Sequence, residues 1–167
     1  MTQTSQGTEG TADTSEAVAR IEDLAAASGG LVVFNTVAPS GTPHSSVVNA
    51  GVLAHPTTGR PTVAIVALGG SRKLRHLERD PRAVVVFRDG RRWTAVRGTA
   101  TIVGPDHPHE AVTPEALPEL LRDAYRAAGG GEHPDWDEYD RTMAADRRAL
   151  VLVSLDHTYG NYWPAQG

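Results

Sequence analysis

The chain has 167 residues, no cysteine and a net charge of −4, with 22% charged and 40% hydrophobic residues. The missing thiols exclude disulfides, cysteine nucleophiles and thiolate metal sites, and the mild acidity argues against a general nucleic-acid binder. The apolar runs are of strand length and Met1 to Ser15 lacks the apolar core of a signal peptide, so a soluble cytoplasmic protein with no membrane partner is expected.

Residues 1–14 read as a disordered tail, leaving 15–167 as one domain of ordinary size with a real core. From Ser15 to Ala27, Val18, Ile21, Leu24 and Ala25 recur at helical spacing, and Ser28-Gly29-Gly30 stops the helix. Leu31 to Val37 reads as a strand. A Pro/Gly connection leads to His44 to Leu53, a second strand broken by Gly51, and a Pro-rich turn leads to Thr62 to Leu68. Gly69-Gly70 break that third strand. Ser71 can then cap a short helix whose Leu74 and Leu77 face inward, with Pro81 ending it at or before Asp80. Ala83 to Arg88 and Trp93 to Val103 form a further antiparallel pair across Asp89-Gly90. Pro114 to Ala128 and Asp135 to Asp146 read as helices, Ala149 to Leu155 as the last strand, and His157, Tyr159, Tyr162 and Trp163 as an aromatic tail. Six strands at hairpin spacing predict a mainly β, α+β fold built on a small antiparallel barrel rather than a doubly wound sheet.

The stretch around the short helix stands out by charge. Between Arg72 and Arg92 lie seven arginines and Lys73 against Glu78, Asp80 and Asp89, a local charge of +5 in an acidic chain. Lys73 is also the only lysine. Arg75, Arg79 and Arg82 suit a solvated helix face. Ser71, Arg72 and Lys73, at a helix start with free backbone N–H groups, form a candidate anion site, most often for phosphate.

The run SRKLRHLERDPRAVVVF from Ser71, with WTAVRGTATI from Trp93, resembles the split β-barrel flavin and deazaflavin oxidoreductases, which include the pyridoxamine 5′-phosphate oxidases. The segment GEHPDWDEYDRTMAADRRALVLVSLDHTYG from Gly131 resembles the class B branch, whose members bind the deazaflavin coenzyme F-420. The resemblance implies a six-stranded Greek-key split barrel with flanking helices. It implies also a homodimer with two cofactor sites at the subunit interface. Lys73 matches the family's cofactor-phosphate lysine. Ser71 stands where many members carry arginine, with Arg72 beside it as the candidate replacement. Ser46, Val47, Val48 and Asn49 match the edge along the ring system, and Trp93 an aromatic position near the phosphates. The expected cofactor is coenzyme F-420, with FMN as the alternative. The expected function is hydride transfer from reduced F-420 to a small conjugated substrate. An FMN-dependent oxidase and a non-enzymatic deazaflavin carrier stand as alternatives.

Other candidate chemistry is weaker. His107-Pro108-His109-Glu110 carries metal-ligand types but sits in a proline-containing loop and reads as a solvated turn. Asp135, Asp137, Glu138 and Asp140 suit an exposed helix start, where acids complement the dipole. Trp136, Tyr139 and Met143 have core spacing. His157, Tyr159 and Trp163 suit either packing on the barrel or cover over a planar ligand. No acid–base constellation identifies a catalytic residue, as suits an enzyme whose chemistry resides in a cofactor.

Overall fold

In the strand Leu31–Val37 (β1), Val32, Phe34 and Thr36 are buried while Leu31 and Val33 face outward, a period-2 alternation that lays one sheet face on a core. The computed structural model describes residues 14–165. The expected tail lies outside them, apart from Thr14, which opens the first helix (α1, Thr14–Ser28). After β1 come β2 (Pro43–Asn49), β3 (Gly51–Ala54), β4 (Pro61–Ala67), α2 (Arg72–Arg79), β5 (Arg82–Asp89) and β6 (Arg92–Val103). Then follow α3 (Leu117–Tyr125), a π-helical turn (Arg126–Gly130), α4 (Trp136–Ala145), β7 (Ala149–Ser154) and β8 (His157–Asn161).

All strand pairs are antiparallel, in the order β2-β1-β5-β6-β7-β4-β3, with β8 added to β6. The strands at the two ends of that path, β2 and β3, are consecutive in sequence and joined through Ala50 alone. The sheet therefore closes into a barrel by a covalent bend, and β2 keeps an edge that pairs with no strand among the described residues. Strand β6 spans both halves, pairing with β5 and β8 near its start and with β7 over Ala100 to Val103.

The six expected strands are the barrel strands, with His44 to Leu53 divided at Ala50. The last strand, β8, was expected only as an aromatic tail. It forms because β7 pairs with the end of β6 and leaves the edge from Trp93 to Arg97 open.

The core joins Phe34, Val85, Phe87, Val96, Ile65 and Val151 to Ile21 and Leu24 of α1 and Leu74 and Leu77 of α2. Strands β4 and β7 are buried on both faces because α3 and α4 cover the outer one through Leu121, Ala124 and Tyr139. The helix expected from Pro114 to Ala128 is shorter and ends in the π turn, where Gly129 takes φ 85°. Gly30 and Gly51 let that turn approach: a side chain on either would collide with the carbonyls of Ala128 or Ala127. Among the described residues no helix is long and apolar enough to cross a membrane.

Candidate functional site

Strand β2 and helix α2 border the split in the barrel, with His44 of β2 meeting His76 of α2 edge-on at 5.2 Å. The β3–β4 register runs from Ala54↔Pro61 to Gly51↔Ala64. Continued past Ala50, it would set Ser46 level with Gly69 and His44 level with Ser71. The strands part there instead, β2 toward β1 and β4 into the Gly69-Gly70 turn.

Along β2 the side chains alternate. His44, Ser46 and Val48 are half-buried on the inner side, and Ser45, Val47 and Asn49 are exposed on the outer one. Ser71 occupies the N-cap of α2 with extended backbone, yet its hydroxyl makes no capping hydrogen bond. Among the described residues, the buried side-chain atoms lacking any partner are His44 Nδ1, Ser46 Oγ and Ser71 Oγ. All three belong to this split. A buried polar atom left unpaired costs roughly 1–3 kcal/mol, so three on β2 and at the start of α2 mark this region as a candidate seat for a polar ligand.

The basic stretch divides as its residues find partners. Arg92 is buried between Asp23 and Asp89, at 2.7 and 2.6 Å. Hydrogen bonds from Arg82 hold the Asp80 carboxyl down at about 2. Arg79 donates to the Ala38 carbonyl at 2.7 Å, and Arg75 donates back to the carbonyl of Gly70. Arg72 and Lys73 pair with no carboxylate among the described residues, and they directly follow Ser71, whose hydroxyl is unpartnered, in sequence. Donor hydroxyls, two uncommitted cations and an open strand edge fit a planar cofactor with an anionic end.

His76 is buried on α2. Its Nδ1 lies 2.9 Å from Thr36 Oγ1 and its ring meets His44 edge-on at 5.2 Å. Burial, then His44 and the arginines of α2, lower its pKa.

Trp93 is not brought to this groove within one chain. It lies on β6, with β1 and β5 between it and β2, and its ring meets Tyr159 edge-on at 6.0 Å. His157 stacks on Tyr159, so these tail aromatics lie against the outside of the barrel. His107 bonds Glu78 at 2.7 Å and His109 takes the Ala111 amide, which gives this loop a structural part.

At the Asn49 end of β2, between the outer face of β4 and α3, the π turn and α4, lies a cavity of about 490 Å³, bounded by Val48, Asn49, Val66, Tyr125, Met143 and Arg148. Arg148 is the site residue that the sequence did not signal. Its position comes from the turn after α4, where the Asp146 carbonyl accepts the Gly69 amide at 3.1 Å. Met143 and Arg148 separate this cavity from a second, of about 460 Å³, under the His107 to Pro114 loop.

Architecture defines the class first: a split β-barrel with an open strand edge beside a helix N-terminus. Residues 19–153 match the family model of pyridoxamine 5′-phosphate oxidase, and the chain belongs to that family. Among solved structures, a conserved hypothetical protein from Mycobacterium tuberculosis is 21% identical, with a TM-score of 0.62 over 93% of this chain and 88% of that one. A pyridoxamine 5′-phosphate oxidase-related, FMN-binding protein from Nostoc punctiforme is 16% identical, with a TM-score of 0.59 over 89% and 84%. An F420 reductase is 15% identical, with a TM-score of 0.55 over 78% and 90%. Proteins described as binding or storing heme also share the fold. At these identities the likeness is one of fold, and ligands differ among the neighbours.

Proposed function

We propose that the protein is an F-420-dependent oxidoreductase working as a homodimer, with residues 15–167 as its cofactor-binding domain. The observation that carries this reading is the split itself, where Ser46 and Ser71 hold unsatisfied hydroxyls beside the uncommitted Arg72 and Lys73. Ser71, Arg72 and Lys73 would hold the phosphate. Backbone along Ser46, Val47, Val48 and Asn49 would align the ring, and its pocket would exclude water. When bound, reduced F-420 would supply a hydride to a small conjugated acceptor, and solvent the proton that completes the two-electron reduction.

The dimer is supported by the outer sheet face. Leu31, Val33 and Val47 are 52%, 37% and 68% exposed, an apolar patch that asks for cover. Strand pairing puts Trp93 on that same face, so in this reading it serves the partner chain's groove.

FMN is the second reading, favoured by Ser71 standing where many members of the family carry arginine. Turnover separates the possibilities. Reduced F-420 is incubated with a panel of conjugated acceptors, and its re-oxidation should scale with protein concentration. Binding without re-oxidation would mean a carrier; no binding would overturn the proposal.

A further inference from the structure

We infer that the cavity at the Asn49 end of β2 receives the hydride acceptor, and that this acceptor is a flat, largely apolar molecule carrying one carboxylate set against Arg148. This rests on the cofactor reading above, because the anionic end of the cofactor would lie at Ser71 to Lys73, leaving the Val48–Asn49 end for the reacting partner.

The lining states the chemistry. Tyr125, Tyr139 and Met143 offer polarisable apolar surface, with small Ala64 and Ala124 between them. Arg148 is the one charged residue of the lining, and no carboxylate lines the wall with it. Its own carboxylate partner leaves part of it unused: Asp146 Oδ2 accepts from Nε at 3.2 Å and from Nη2 at 3.0 Å, and Nη1 has no hydrogen-bond partner among the described residues. Arg147 next to it is committed to Asp106. The bond from the Gly69 amide to the Asp146 carbonyl fixes the turn, so Arg148 is presented rather than trailing in solvent. A planar guanidinium with an unused edge beside aromatic walls matches a carboxylate on a ring.

The test uses 2-naphthoate and its methyl ester, titrated by calorimetry into the full chain with and without F-420. The acid should bind about tenfold or more tightly than the ester, as expected for one charge-assisted hydrogen-bond site. Arg148→Gln should abolish that preference and leave F-420 affinity unchanged, while Arg148→Lys should keep part of it. Met143→Trp, which fills the cavity and keeps the arginine, should weaken acid and ester alike. Equal binding of acid and ester by the parent, or a preference that survives Arg148→Gln, would overturn the inference. Should Arg148→Gln fail to fold, undiminished naphthoate binding to Met143→Trp would overturn it. Loss of F-420 binding by Arg148→Gln would also overturn it, by placing the arginine in the cofactor seat. A parent that ignores F-420 yet prefers the acid would instead refute the cofactor reading.

Discussion

The backbone of Gly69 packs directly on Arg147: a Cβ at Gly69 would lie 2.5 Å from the Arg147 carbonyl oxygen and 2.8 Å from its Cβ. This contact ties the turn before α2 to the turn that presents Arg148, so the anion seat and the cavity share one anchor. Gly69→Ala should therefore cost about 1–3 kcal/mol by overpacking, seen as a lower Tm, and should weaken F-420 binding as α2 shifts. An unchanged Tm would show that the two turns move apart freely.

Lys73 should hold the cofactor phosphate from the first turn of α2. A charge-assisted hydrogen bond contributes roughly 1.5–3 kcal/mol, so Lys73→Ala should weaken F-420 binding about ten- to a hundredfold. Stability should barely change, because Lys73 pairs with nothing among the described residues. Arg72→Ala separates two roles: a comparable loss makes Arg72 the stand-in for the arginine that Ser71 replaces, and no loss places it in solvent.

His76 supplies a pH dependence of folding. Its pKa is depressed in the folded protein by burial first and then by His44, Arg72, Arg75 and Arg79. Above about pH 6.5 both states hold a neutral imidazole; below it the unfolded chain takes up a proton that the native state resists, so stability falls as pH falls. Thermal melts from pH 7.5 to 5.5 should show a smaller decline for His76→Gln than for the parent. Equal slopes would assign the acid sensitivity to other groups.

The outer sheet face should be a dimer interface. Val47 pairs with Val33 on that face, and both are exposed. Val47→Asp should convert the dimer to a folded monomer in sedimentation and weaken F-420 binding if both chains build the site. A parent that is monomeric at micromolar concentration while binding cofactor would contradict the shared site.

Hydrophobic periodicity made the barrel strands, α1 and the inward leucines of α2 legible, because each buries a regular set of side chains. The division of the second strand was half visible. Gly51 marked the place, but the reason is close packing against the Ala127 carbonyl, a contact distant in sequence. Strand β8 was hidden because His157-Thr-Tyr-Gly-Asn carries no apolar alternation; a vacant edge on β6 recruits it. Ser71 was read as a cap, and its backbone caps the helix while its hydroxyl stays unused. Arg148 and His76 were beyond reach from sequence, since one depends on a turn meeting Gly69 and the other on β1 and β2 packing over α2.

The seat for F-420 proposed at the split between β2 and α2 stands or falls on cofactor preference. Parallel calorimetric titration of the purified protein with F-420 and FMN tests it most directly. F-420 should bind more tightly than FMN, with affinity rising with the number of glutamates on the cofactor's anionic tail and falling with salt, because exposed charge pairs are screened over about 10 Å at 0.1 M. Equal or tighter binding of FMN, with no effect of tail length, would contradict it.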